Sequence, residues 1–190
     1  MTSANPRAMR ADARRNYERL LDEARRAFGQ QGIDASLEEI ARRAGVGIGT
    51  LYRHFPTREA LLEALLRTRF DAQAAAAEEL LEHPSPIEGL KTWALRMAEA
   101  STVYRGLTET LADALADESS QLYQSCHAVR DGARRLVERA REAGELRPDA
   151  TVLEVLLLIH SAAWSAEHAP GGGPSLNRLV DLVFQGLRAR

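Results

Sequence analysis

The sequence predicts an all-α protein, a small N-terminal head of three helices on a larger helical body, about nine helices in all. Three observations predict it. Apolar residues recur three and four apart along nearly the whole chain, and no stretch alternates convincingly with period two. No segment repeats at the roughly 20–50-residue interval of repeat architectures. Serine, threonine, proline and glycine stand where such helices would start and stop. The 190 residues suffice for a real core and one or two domains. With 45% hydrophobic and 27% charged residues, the composition is that of an ordinary globular protein.

The first predicted helix runs from about Asp12 to Gln31. Tyr17, Leu20, Leu21, Ala24 and Phe28 share one face, and Gly32 is placed to stop it. Ser36-Leu37-Glu38-Glu39 reads as a capping box that opens the second helix: the Ser36 hydroxyl accepts from the Glu39 amide and Glu39 reaches back. That helix ends near Ala44, and a third spans about Ile48 to Phe55. Pro56-Thr57 then separates it from a long fourth helix, capped by Thr57 and reaching about Glu82. After the break at His83-Pro84-Ser85-Pro86, Ser85 is the expected cap, Pro86 the first helical residue and Glu88 the return partner. Two helices joined near Tyr104-Arg105-Gly106 follow. A further helix covers about Ser119 to Ala143, stopped by Gly144. The next, capped by Asp149, holds Val152 to about Glu167. The stretch from Ala169 to Pro174 is the clearest loop. From about Ser175 the last helix places Leu176, Leu179, Val180, Val183, Phe184 and Leu187 on one stripe.

Charge divides the chain. Residues 1–70 carry 13 arginines against 9 acids, whereas the remainder carries 12 basic residues against 18 acids. A basic head on an acidic body suggests that the head meets a polyanion. Only Lys91 among the 25 basic residues is lysine; arginine suits phosphate and guanine, although a GC-rich genome gives the same bias. The single cysteine, Cys126, can form no disulfide within the chain, which points to a reducing compartment. Val152 to Ile159 is too short to span a bilayer, and the first fifteen residues lack the apolar core of a signal peptide. A cytoplasmic protein with no membrane partner is expected.

Residues 36–55 carry the most specific signal. A helix-turn-helix needs an apolar face on its first helix, supplied by Leu37, Ile40, Ala41 and Ala44, and a residue tolerant of positive φ in the turn, supplied by Gly45. At about 100° per residue, Leu51 and Phe55 point one way with Ile48 nearby. Arg53 and Gly49 lie roughly opposite with Thr50 beside them, and Tyr52 and His54 flank. Each outward residue has a chemistry suited to duplex DNA. Gly49 permits close backbone approach. Thr50 can donate to a phosphate or meet a thymine methyl, and Arg53 can hold a guanine through O6 and N7. Tyr52 and His54 are placed for phosphates, which fix register. The helix ends near Ser36 and Thr57 can each hold a phosphate, with Arg58 adding charge. Arg7, Arg10, Arg14 and Arg15 are candidates for an arm along the backbone or in the minor groove. The bland alternatives are a generic helical hairpin and solvated surface arginines.

AGVGIGTLYRHFPTREALLEAL resembles the DNA-binding signature of the TetR family of bacterial transcriptional repressors. The alanine-glycine-valine turn, the glycine-threonine pair, the tyrosine two residues on, the histidine-phenylalanine pair and the arginine-led fourth helix agree together over about residues 12–66. The resemblance implies a head at residues 1–56 that binds DNA. It also implies a body at 57–190 that dimerises through the last two helices and encloses a ligand pocket. Two positions depart from the pattern. Gly47 stands where serine or alanine is common, which weakens the cap of the third helix. Ile48 stands where many members have a polar or aromatic residue; it either packs inward or meets a thymine methyl.

In the body, the helix from Val152 is apolar on more than one side, and a partner subunit is a natural cover for it. Phe70, Trp93, Met97, Tyr104, Tyr123, His127, His160 and Trp164 are the pocket candidates, although such residues at helical spacing more often build core. Cys126 and His127 diverge as adjacent helix positions, and His160 and His168 are too far apart to share an ion. No metal, cofactor or enzymatic site is expected. The sequence therefore reads as a homodimeric regulator that binds a palindromic double-stranded DNA operator, a repressor released by a small-molecule inducer. The alternative is a ligand-independent architectural or division-type DNA-binding protein of the same fold.

Overall fold

Helices form where the apolar spacing places them. A computed structural model describes residues 6–101, 114–169 and 172–189; the side chains of 6–10, 100 and 101 lie outside that description. Among the described residues there are eight helices, a further helical piece at residues 114–116, and no strand. The eight are α1 (Pro6–Gln31), α2 (Leu37–Arg43), α3 (Ile48–His54), α4 (Arg58–Leu80), α5 (Pro86–Ser101), α6 (Gln121–Glu142), α7 (Val152–His168) and α8 (Leu176–Leu187). The helix expected just past Tyr104 falls mostly on residues outside the described ones, as does Tyr104 itself. The described residues divide into two compact units, one holding residues up to Leu66 together with Ala114, the other holding the rest.

In the first unit α1 packs on α2 and α2 on α3. Leu20, Ala24 and Phe28 of α1, Ile40 of α2, and Leu51 and Phe55 on and just after α3 are all buried, as the i, i+3, i+4 spacing requires. Gly45 makes the turn at φ 69°, a conformation costly for any residue with a β-carbon. In the second unit α5 packs against α6, α7 and α8. Ile87, Leu90, Trp93, Ala94 and Ala98 form its buried side, and Trp93 donates its Nε1 hydrogen to the Gln73 carbonyl at 3.1 Å. Gly132 of α6 lies so close to α4 that an added β-carbon would sit 2.6 Å from the Ala77 methyl. Lys91 pairs with Asp181 at 2.6 Å and Glu88 with Arg188 at 2.5 Å, joining α5 to the end of the chain.

Several helix ends differ from expectation, each for a chemical reason. The first helix starts at Pro6 rather than Asp12, so Arg7, Arg10, Arg14 and Arg15 lie within α1 and form no separate arm. Half of the Ser36 capping box forms: Ser36 Oγ accepts from the Glu39 amide at 3.2 Å. The Glu39 carboxylate turns instead to Arg42 and Arg43, because two guanidiniums at 2.6–2.8 Å outbid a neutral amide. At α5 the expected Ser85 cap forms, its Oγ accepting from the Glu88 amide at 3.5 Å. The Glu88 carboxylate goes to Lys91 and Arg188, and Glu145 joins the cap in its place. The Glu145 carboxylate accepts from the Ile87 amide and the Ser85 hydroxyl, both at 2.9 Å. Asp149 does not cap α7. It holds Arg147 through two bonds at 2.6 Å, and Thr151 forms the capping box with Glu154 two residues later.

Candidate nucleic-acid interface

α3 is seven residues long and anchored by one face. Leu51 is fully buried and Phe55 nearly so, while Gly49, Tyr52 and Arg53 are exposed and Thr50 and Ile48 half-buried. The space above Gly49 is open, with no heavy atom within 4 Å of where a β-carbon would stand. Its N-cap, Gly47, offers no side-chain bond to the first amides, as the departure from serine predicts. The helix therefore presents a flat glycine edge beside a threonine and an arginine. That surface admits close approach of another backbone and carries donors for base edges.

Arg53 is held on its own helix. Its Nε donates to the Gly49 carbonyl at 3.2 Å and its Nη2 to Thr50 Oγ1 at 2.8 Å. Gly49, Thr50 and Arg53 thus form one constellation. Tyr52 is 45% exposed on its flank. His54 is half-buried, with its ring edge-on to Tyr17 of α1 at 5.9 Å between centroids, and Tyr17 also packs on Phe55 at 5.0 Å. Tyr17 thereby steadies both ends of the aromatic pair, a role that its helical spacing alone does not reveal.

The helix ends are less open to phosphate than expected. Ser36 Oγ donates to the Glu38 carboxylate at 3.0 Å. The Glu38 backbone amide, followed by that hydroxyl, holds the carboxyl below its usual value. At α4, Thr57 Oγ1 accepts from the Ala60 amide at 3.1 Å, and Glu59 is held low by its own amide and by Thr57. Glu38 and Glu59 thus keep a negative charge beside these two ends, which opposes an arriving phosphate. Along α1, Arg14 pairs with Glu18 at 2.9 Å and Arg15 with Asp12. The side chains of Arg7 and Arg10 lie outside the described residues. Arg58 is half-buried, and its Nη1 donates to the backbone carbonyls of Ile33 and Ala35.

The body separates its pocket candidates into two groups. Trp93 is in the core, with Phe70 and Met97 packed partly buried against it. Close by is Gln73, 8% exposed, whose side-chain oxygen is buried without a hydrogen-bond partner. It was not among the candidates, and a polar residue on an alanine-rich helix gives little sign of itself in sequence. The other candidates sit elsewhere. His127 is exposed on α6 and packs on the half-buried Tyr123 at 4.2 Å. His160 is exposed on α7, and Trp164 is 60% exposed and stacked on His168 at 4.4 Å. His160 and Trp164 therefore do not join Trp93 in an interior. They lie on the outward side of α7 together with Leu153, Leu157 and Leu158, and Leu182 of α8 is likewise exposed. A groove of about 410 Å³ lined by Arg147, Glu154, Leu157, Leu158 and Leu187 runs beside that row.

Residues 20–65 match the family model described as bacterial regulatory proteins, tetR family. Residues 85–189 match the model described as transcriptional regulator SbtR-like, C-terminal domain. A TetR transcriptional regulator from Streptomyces coelicolor has a similar structure, with a TM-score of 0.72 and 35% identity over 91% of this chain and 98% of that one. A TetR transcription regulatory protein from Mycobacterium vanbaalenii is similar at a TM-score of 0.66 and 32% identity, over 95% of this chain and 99% of that one. An HTH-type transcriptional regulator of Staphylococcus aureus is 36% identical over 64 residues. That match takes in 33% of this chain and spans only 35% of the relative.

Proposed function

The chain belongs to the TetR family of DNA-binding transcriptional regulators, and from that premise we propose that it is a homodimeric repressor released from a palindromic operator by a small molecule. The observation that carries the reading is the division of α3 into a buried side, Leu51 with Phe55 beyond it, and an exposed side of Gly49, Tyr52 and Arg53 with the half-buried Thr50 beside them. In this reading residues 1–56 bind DNA. Arg53 holds a guanine, a contact worth about 1–3 kcal/mol of discrimination. Thr50 meets a neighbouring base or phosphate, Gly49 admits the backbone, and Tyr52, His54 and Ser36 fix the register. To reach the base, Arg53 exchanges its bonds to Gly49 and Thr50 for bonds of the same kind.

Residues 57–190 dimerise and bind the ligand. The exposed row Leu153, Leu157, Leu158, Trp164 and Leu182 supports dimerisation through α7 and α8, because side chains of this size are normally covered. Two α3 helices about one helical turn apart then enter successive major grooves. The Trp93 neighbourhood supports a ligand site: Phe70 and Met97 give apolar lining, and Gln73 gives a buried oxygen in want of a donor. The inducer acts by binding better to a state of the dimer that does not fit the groove. No described helix is long and apolar enough to cross a membrane, in keeping with action in the cytoplasm.

Selection from a pool of random-sequence duplexes tests the reading. The expected outcome is enrichment of a two-fold symmetric sequence with half-sites one turn apart. No enrichment, or enrichment of a single asymmetric half-site, would count against it. A thermal-shift screen of small molecules then seeks compounds that stabilise the protein and release the selected duplex. Stabilisation without release would remove the inducer from the proposal.

A further inference from the structure

Arg58 opens α4, yet its guanidinium turns back to the connection between α1 and α2. Nη1 donates to the Ile33 carbonyl at 2.7 Å and to the Ala35 carbonyl at 2.6 Å. An Nη carries two hydrogens, and two acceptors at these distances commit both. Such charge-assisted bonds are stronger than neutral ones. Their acceptors lie in the short connection between α1 and α2, where Ala35 is buried and its amide donates to the Gly32 carbonyl at 3.2 Å. Ser36, the next residue, caps α2. One side chain thus fixes the start of α2 to the start of α4, across 23 and 25 positions of sequence. A guanidinium placed this way commits two of its five N–H donors to backbone.

We propose that Arg58 is a positioning residue for DNA recognition: it straps the α1–α2 connection to α4. It thereby sets the angle at which α2 and, across the Gly45 turn, α3 are presented. This rests on the reading of α3 as the helix that contacts bases. In this role the charge of Arg58 neutralises no phosphate, so its removal changes the affinity for DNA without changing how many counterions are released.

The full-length chain is compared with Arg58→Lys and Arg58→Met. Lysine keeps the charge but is one bond shorter and lacks the fork; methionine keeps the apolar stem without charge. The first measurement needs no DNA. Hydrogen exchange at the amides of residues 33–37 and α2 is expected to speed up about tenfold or more in both variants, while α6 and α8 keep their wild-type protection. Wild-type exchange at residues 33–37 in both variants overturns the strap.

The second measurement is the salt dependence of binding to a duplex that the wild type selects from a random pool. With a strap, both variants bind about tenfold or more weakly, and Arg58→Met keeps the wild-type slope of log affinity against log salt. With a phosphate contact, Arg58→Lys stays near wild type and Arg58→Met loses about 0.9 of slope. That second pattern overturns the proposal. If the wild type selects no sequence, it is the base-contact reading of α3 that fails, and the exchange measurement alone decides on the strap.

Discussion

α3 in the head and α7 in the body both leave large side chains in solvent, but of opposite kinds. α3 exposes Tyr52 and Arg53 beside an open glycine edge. α7 exposes Leu153, Leu157, Leu158 and Trp164. A surface of donors and a ring suits the edges and phosphates of a duplex, where affinity comes from charge and hydrogen bonds. A row of leucines suits another protein surface, where affinity comes from burial. The difference teaches that exposure by itself does not mark a site. Its chemistry states what kind of partner would cover it.

The largest expected effect comes from changing the chemistry of the apolar row. The double substitution Leu153→Glu with Leu157→Glu should leave a monomer in sedimentation equilibrium. It should also weaken binding to a two-half-site duplex by about 10²- to 10⁴-fold, the advantage of linking two weak contacts. A dimer that survives the substitution would mean that the row faces something else.

Next in size is the packing inside the body. Gly132→Val places a β-carbon against the Ala77 methyl, where 2.6 Å is far below any tolerable approach. Urea unfolding should show a loss of about 1–3 kcal/mol. An unchanged midpoint would mean that α4 and α6 can part at no cost.

Helix caps sharpen the contrast between head and body on a smaller scale. α7 has a complete capping box at Thr151 and Glu154, whereas α3 starts at Gly47 with no side-chain cap. Thr151→Ala should therefore cost about 1 kcal/mol, and Gly47→Ser should gain only a few tenths. Both are read from thermal unfolding. Equal and opposite shifts would mean that α3 lacks only its cap, with no penalty elsewhere.

The smallest expected effect concerns pH. Glu145 has its carboxyl held below the usual glutamate value of 4.5, chiefly by the Ile87 amide and then by the Ser85 hydroxyl. A depressed carboxyl binds its proton more weakly when folded than when unfolded, so its contribution to stability is complete above pH 4.5. It is lost as pH falls below that, through the depressed value. Glu145→Gln should therefore lower stability at neutral pH and flatten the acid limb of a pH-dependent unfolding series. An acid limb that keeps its wild-type steepness would assign the acid sensitivity to other carboxylates.

The head is legible in sequence because its contacts are close along the chain. The Leu37, Ile40 and Ala41 face, the Gly45 turn and the Leu51–Phe55 face lie within 19 residues and name the motif together. What sequence misses there depends on partners far along the chain or on competition between charges. Arg58 reaches carbonyls more than twenty positions away, and Glu39 prefers two arginines to its own cap. The body is legible in its periodicity but not in its sites. Trp93, His160 and Trp164 look alike as residue types, yet Trp93 is 1% exposed and Trp164 is 60% exposed. Only the packing of α5 against α6, α7 and α8 decides which of them is interior. Caps supplied from afar, such as Glu145 on the start of α5, carry no local signal at all.

The central claim is that the outward face of α3 reads sequence through Arg53. Its most direct test is a titration of wild type and Arg53→Ala against a selected duplex and a random duplex at one salt concentration. If Arg53 holds a guanine, the ratio of selected to random affinity falls by about tenfold or more, as loss of a bidentate contact requires, and the dimer is unchanged. A ratio equal to that of the wild type, with both affinities lowered alike, would contradict the claim and leave Arg53 a phosphate contact.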